Sequence, residues 1–193
     1  MNKRIIFLAL ALTCVSAMWC RTYSNNHEST CNLSLEVGAD VVSSYLWRGY
    51  HLGGLSIQPS VTLDWNGLYL CGWGNIGAST WHFEEFNPEL DITIGYDNYG
   101  FMIDLTHLYY FGGESYFRGL ADANNIFSTS TMELHAGINI GEWTEKFPLT
   151  IDWYTTLLGY DPVFDKEGEL MLNANGNAKR AYSTYIQLGY DIT

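Results

Sequence analysis

Arg48 is the first place to look for chemistry, because it stands among carboxylates that recur at alternate positions. Glu36 and Asp40 precede it on the same parity. Asp64, Asp91, Asp104, Glu133, Asp152 and Asp191 occupy polar positions in later alternating segments, and His135 shares the parity of Glu133. Carboxylates lining an aqueous path attract cations and repel anions, which points to a lumen that prefers cations or other small solutes. Packed together, the same groups form an internal network instead, with the guanidinium gripping two or more of them in bidentate pairs. That second reading gains weight if the enclosing sheet is small, because eight strands leave only enough room for their own side chains.

Other reactive sets are missing. The sequence has no Gly-x-Ser-x-Gly, no His-Glu-x-x-His and no phosphate-binding glycine loop. A Ser, His and Asp gathered from different strands would escape such a search, since triads are defined by geometry. With no motif to suggest one, the expectation is a protein without catalytic residues, cofactor or metal. His51 and His82 fall in connections, the latter near Glu84 and Glu85, and read as solvated rather than as ligands at fixed spacing. His107 falls on an apolar parity and reads as a neighbour of an aromatic girdle. Cys20, Cys31 and Cys71 show no zinc spacing; their odd number allows one intrachain pair, and a Cys20–Cys31 bridge suits an oxidising compartment.

The elements that must position these residues follow period two. Leu33, Leu35, Val37, Ala39, Val41, Tyr45 and Trp47 share one face, with Ser34, Glu36, Gly38, Asp40, Ser44 and Arg48 on the other. Such alternation predicts one strand with two different environments, ending at Arg48. Residues 55–65 repeat the pattern, with Leu55, Ile57, Val61, Leu63 and Trp65 opposite Ser56, Gln58, Ser60, Thr62 and Asp64; Pro59 predicts a local bulge. Asn66-Gly67 is a strong hairpin signal, because both turn positions tolerate positive φ. Further strands are expected over 68–75, 89–97, 101–111, 131–140, 149–160 and 182–192, eight in all.

Connections of two lengths alternate between them. Those at 66–67, 97–100 and 141–147 are short, whereas 48–54, 75–88, 112–128 and 161–180 are longer. A transmembrane barrel has this asymmetry, with tight turns on the periplasmic side and long loops outside. The fold expected is therefore all-β, an antiparallel up-and-down transmembrane β-barrel. A secreted soluble β-sandwich or lipocalin-like binder is the alternative without a membrane.

The N-terminus agrees with export. A basic head (Met1 to Arg4), an apolar run over 5–13 and the small residues of Val15-Ser16-Ala17 have the layout of a cleaved signal peptide. A lipoprotein signal would use Cys14, but Thr13 stands where glycine or alanine is preferred. Residues 1–17 are thus expected to be removed, 18–32 to form a flexible polar leader, and 33–193 to form the barrel domain. Lys+Arg number 9 against 21 Asp+Glu, for a net charge of −12, which argues against nucleic acid as a partner. Charged residues make up 16% and aromatic residues another 16%, with 14 Tyr and 7 Trp. Soluble domains carry about 25% charged residues, and a lipid-facing sheet with aromatic girdles accounts for the difference.

Ser43-Ser-Tyr-Leu-Trp-Arg-Gly49 has the form S-x-Y-x-[FW]-R-G, and Gln58 to Trp65 followed by Gly67 to Asn75 supplies two further matching segments. Over residues 35–75 the chain resembles the TorF-like porin family, also called the Gcw_chp family. The resemblance implies a Gram-negative outer-membrane barrel whose partners are the lipid bilayer and the outer-membrane assembly machinery; it implies no catalytic residue. Family members ordinarily run further and end in an aromatic, whereas this chain stops at Gly189-Tyr-Asp-Ile-Thr193. That difference implies missing C-terminal closing strands, while an even strand count implies closure with eight. A closed, non-conducting barrel that scaffolds or binds through its loops is the alternative to a channel.

Overall fold

The computed structural model describes residues 33–77, 88–111 and 130–191. The expected signal peptide and leader, Cys20, Cys31 and His82 lie outside the described residues. The chain is all-β. Eight strands form one antiparallel meander in the order β1 (Leu33–Val42), β4 (Ser56–Trp65), β5 (Leu68–Gly77), β6 (Glu89–Asn98), β7 (Phe101–Tyr110), β8 (Ser130–Asn139), β9 (Leu149–Gly159) and β10 (Thr184–Tyr190). Two short strands, β2 (Tyr45–Trp47) and β3 (Tyr50–Gly53), pair with each other apart from it. Among the described residues no ladder joins β1 to β10, and no second large sheet packs against the first.

Register carries two distinct faces across the sheet. Leu35, Leu63, Leu70, Ile94 and Leu105 form one cross-strand row, successive members lying opposite one another. One side of the sheet carries such apolar rows and is widely exposed, from Val37 and Val61 to Ile103, Ile151 and Leu188. Its other side carries Ser56, Gln58, Thr62, Asp91, Asp104, Glu133, His135 and Asp152, all buried. This inverts the usual arrangement of a soluble domain, in which charged groups are almost never fully buried.

Tight turns close one end. Asn66 (φ 52) and Gly67 (φ 88) take the expected paired positive φ, and Tyr99 (φ 54) with Gly100 (φ 74) do the same. Gly67 needs its freedom, since a Cβ there would stand 2.6 Å from the Asp97 carbonyl oxygen. The third short connection contains a 3-10 turn, Ile140–Glu142, capped by the Asn139 side chain, which accepts from Gly141 N at 3.0 Å. The Trp143 indole crosses the turns and donates to Tyr99 O at 2.7 Å.

Three expectations need correction. The first strand does not run on to Arg48: it ends at Val42, and residues 45–53 fold back as the β2–β3 hairpin around Arg48 (φ 47) and Gly49 (φ 84). Tyr45 is therefore buried on the polar side and not displayed on the apolar one. Pro59 causes no bulge. The β4–β5 ladder holds one register from Ile57↔Ile76 to Ser60↔Trp73, and Gly74 sits under the ring. The irregularity in the meander falls instead between β8 and β9, after Met132.

The connection 160–183 is more regular than a loop. Met171 N donates to Val163 O, Lys179 N to Met171 O, and Val163 N to Lys179 O, closing a ring of three backbone hydrogen bonds. Two turns project from it, in which Asp165 Oδ1 accepts from Glu167 N and Glu169 N, and Asn173 Oδ1 from Asn175 N and Asn177 N. Gly168 and Gly176 supply the positive φ at the same place in each.

Candidate functional site

The polar side is organised by one cross-strand row: Asp64, Tyr69, Gly95, Asp104, His135, Tyr154 and Tyr185 face one another in successive ladders. Tyr69 on β5 reaches across β6 and donates its phenol to Asp104 Oδ2 on β7 at 2.9 Å. It can do so because the residue beneath is Gly95, where a Cβ would lie 2.6 Å from Tyr69 Cζ and 2.5 Å from Asp104 Cβ. His135 bridges two carboxylates, with Nδ1 at 2.7 Å from Asp104 Oδ2 and Nε2 at 3.1 Å from Asp152 Oδ1. Only the imidazolium donates from both nitrogens, so this geometry calls for a charged ring. Gly137 makes room for the second contact, since a Cβ there would stand 2.7 Å from Asp152 Oδ1. The His135 ring stacks on Tyr154 at 4.2 Å and 8°.

Arg48 enters this row from the β2–β3 hairpin. Its Nη1 and Nη2 donate to Glu133 Oε2 and Oε1 at 2.6 and 2.7 Å, a bidentate fork between residues 85 apart in sequence. The guanidinium carbon lies 4.5 Å from the ring centres of Trp47 and Tyr154, and 4.6 Å from Tyr185. Among the described residues Arg48 thus grips one carboxylate and three aromatic rings, where two carboxylates were expected. The hairpin is thereby anchored over β8, β9 and β10.

The sequence-derived candidates divide in two. Arg48, Asp91, Asp104, Glu133, His135 and Asp152 come together on the buried side. Glu36 and Asp40 keep the polar parity but are exposed on the edge strand β1, and Asp191 is exposed beyond β10, its backbone N–H bonded to Pro148 O. Asp64 is half-buried and supports the hairpin turn, accepting from Gly67 N at 3.4 Å. His51 is exposed in β3; His107 is buried on the apolar side against Tyr109, with ring centres 6.3 Å apart. Tyr69, Tyr154, Tyr185, Gly95 and Gly137 were not singled out from sequence. Their signal was available, because each shares the parity of a neighbouring carboxylate or histidine on its own strand or its partner.

A cavity of about 80 Å³ lies within this side, with Asp91, Trp73, Met102, Leu108, His135 and Tyr154 among its walls. That is room for several waters. No group of three or more His, Cys, Asp or Glu among the described residues is arranged to hold a metal ion. Cys71, buried in the same wall, is disulfide-bonded. Among the described residues Glu89, Asp91, Asp104, Glu133 and Asp152 share this face with Arg48 and His135, so buried carboxylates outnumber the cations described there.

The glycine contacts make a direct prediction. Gly95→Ala is expected to destabilise the fold by about 1–3 kcal/mol, because the new methyl group displaces Tyr69 from Asp104. Gly72→Ala, whose Cβ would meet nothing closer than 3.5 Å, is the matched control and is expected to be near neutral. Urea unfolding of both variants in detergent micelles measures the difference; equal midpoints would refute the role given to Gly95.

This site defines an all-β antiparallel sheet with a charged, buried face and an apolar, exposed one. Comparison of the chain with protein-family models, with curated proteins and with solved structures finds no match. Among the described residues no helix is long and apolar enough to cross a membrane, a statement that does not touch crossing by strands.

Proposed function

We propose that this chain is an outer-membrane β-barrel of the porin type, with an acidic interior that prefers cations and a bore narrowed by Arg48. The inverted distribution of side chains carries the reading. The exposed face is apolar through the middle of the strands, at Val61, Leu70, Ile94, Ile103 and Ile186. At the tight-turn end exposed aromatics collect, namely Trp65, Tyr96, Tyr99, Phe101, Trp143 and Tyr190, and Tyr50, Tyr160 and Tyr182 are exposed toward the other end. An apolar band between aromatic girdles is how a barrel meets lipid and its two interfaces. In this reading residues 1–17 direct export and the likeness to the TorF-like porins reflects common architecture. The edges of β1 and β10 close directly or through further strands, because an open edge facing lipid is not tolerated.

Planar-bilayer recording of the refolded full-length protein under a KCl gradient tests the channel. The reversal potential is expected to carry the sign of cation preference. Anion preference, or no conductance, would remove the channel reading. Detergent-phase partitioning tests the membrane itself: recovery in the aqueous phase would remove every membrane reading at once.

One observation favours a second reading. The polar side is filled by Arg48, His135, Tyr69 and Tyr154, as expected for a barrel of this size. A closed, non-conducting barrel that scaffolds the membrane or binds through its outward loops has that interior. Membrane insertion without conductance, together with loss of partner binding on loop deletion, would select it.

A further inference from the structure

Among the described residues, Asp91 and Glu89 are buried carboxylates of β6 that neither Arg48 nor His135 engages. They stand two positions apart on the same face of β6, about 6.6 Å along the strand. Asp91 is 8% exposed and Glu89 4%. Arg48 is committed to Glu133, and His135 to Asp104 and Asp152. Glu89 accepts from the phenols of Tyr45 and Tyr110, and Asp91 from the backbone of Tyr109. Among the described residues Asp91 Oδ1 and Glu89 Oε1 nevertheless remain buried without a hydrogen-bond partner. A buried carboxylate oxygen without a donor is costly, and native structures supply water, an ion or a ligand where one occurs.

The surroundings narrow the choice. Asp91 lines the cavity of about 80 Å³, and its cross-strand neighbours are Trp73 and Leu108, which line it too. Met102 adds another apolar wall. Trp73 also packs against Tyr45, with ring centres 5.8 Å apart. Calcium or magnesium requires six or more oxygen ligands in a defined shell. Two carboxylates beside an indole and aliphatic walls instead suit an N–H-donating cation with an alkyl tail. Its ammonium group can donate to the free oxygens and lie against an aromatic face, while the tail fills the apolar space.

We propose that Asp91, with Glu89 behind it, forms a binding site for a small primary alkylammonium at the Trp73 end of this cavity. The proposal deepens the cation-preferring reading above and rests on the polar side being an interior that cations reach.

The probe is butylammonium chloride, added to the full-length protein in detergent while tryptophan emission is followed. Parallel titrations use sodium chloride at matched ionic strength, calcium chloride and the bulky adamantylammonium. Saturation by butylammonium is expected, weakened about tenfold or more in Asp91→Asn and unchanged in Asp40→Asn, whose site is exposed. Heat-dependent gel mobility verifies that each variant is folded. Should Asp91→Asn fail to fold, the wild-type size series decides: butylammonium saturates and adamantylammonium does not. Saturation by sodium or calcium in place of butylammonium, equal binding of the bulky amine, or no saturation at all would overturn the site. Butylammonium saturation without bilayer conductance would remove the channel and leave the site standing; selective conductance without saturation would do the reverse.

Discussion

Arg48→Ala is expected to destabilise the protein by about 3–5 kcal/mol, since removing one partner of a buried ion pair strands the other charge. The stranded group is Glu133, which is 5% exposed and receives both of its short hydrogen bonds from Arg48. Three aromatic contacts to the guanidinium go with it. Backbone strain does not confuse the measurement, because alanine at φ 47 is no better placed than arginine. Arg48→Lys should recover only part of the loss, as an ammonium cannot form the fork or spread over the rings of Tyr154 and Tyr185 as a guanidinium does. Arg48→Met combined with Glu133→Gln should restore most of it, because replacing both charges leaves no bare ion inside. Urea unfolding of the single and double variants gives the coupling between the two positions. A single variant as stable as the parent would refute the anchoring role of Arg48. The same variants carry a functional reading: if Arg48 narrows the bore, Arg48→Lys should conduct more than the parent.

Most strands were legible in the sequence because period two is written twice in them, once in apolar residues and once in polar ones. Ile57 to Trp65 and Leu90 to Tyr96 took the faces their alternation implied. Alternation is blind to a reversal of the chain, however. Tyr45 and Trp47 continue the parity of Val41, so the fold-back after Val42 leaves no trace in the pattern, which places Arg48 at a strand end when it sits at a hairpin tip. Parity also says nothing about what covers a face. Glu36 and Asp40 have the parity of Asp64 on the strand they pair with, yet β1 is an edge and they are exposed. His107 and Tyr109 have the parity of exposed Ile103 and are nonetheless buried.

The site was half legible for a related reason. Carboxylates and the arginine mark themselves by charge, whereas Tyr69 and Tyr154 carry none and group with the aromatic residues of either face. A phenol belongs on either face, provided its hydroxyl finds a partner. On β5 this leaves the faces ambiguous: Tyr69, Cys71 and Trp73 look like an apolar face beside Leu68 and Leu70, but they lie on the buried, polar side of the sheet. Gly95 and Gly137 are harder still, because their purpose is the side chain that crosses above them and not one of their own. The ring of hydrogen bonds in 160–183 could be anticipated only from its repeated chemistry, an Asp or Asn followed three residues later by Gly, at Asp165 and again at Asn173.

Ile94→Lys is expected to cost about 2–4 kcal/mol in a lipid or detergent environment, the range found for a cation placed at the bilayer midplane on a barrel's outer face. Ile94 is 55% exposed, so no cavity is opened and no buried partner is lost. In water the same change at so open a position would fall within about 0.5 kcal/mol of neutral. The two environments therefore predict different outcomes for one substitution. Depth supplies a further test. Ile94 lies midway along β6, whereas Tyr99 lies at its tight turn, where a lysine should cost no more than about 1 kcal/mol. Leu70, opposite Ile94 in the next strand, should behave as Ile94 does. Unfolding of the three lysine variants in liposomes then gives a profile: a cost that peaks at Ile94 and Leu70 and falls away at Tyr99 requires a lipid slab around the apolar face. A flat profile near zero would put that face in water, and the barrel would have to be given up together with the channel.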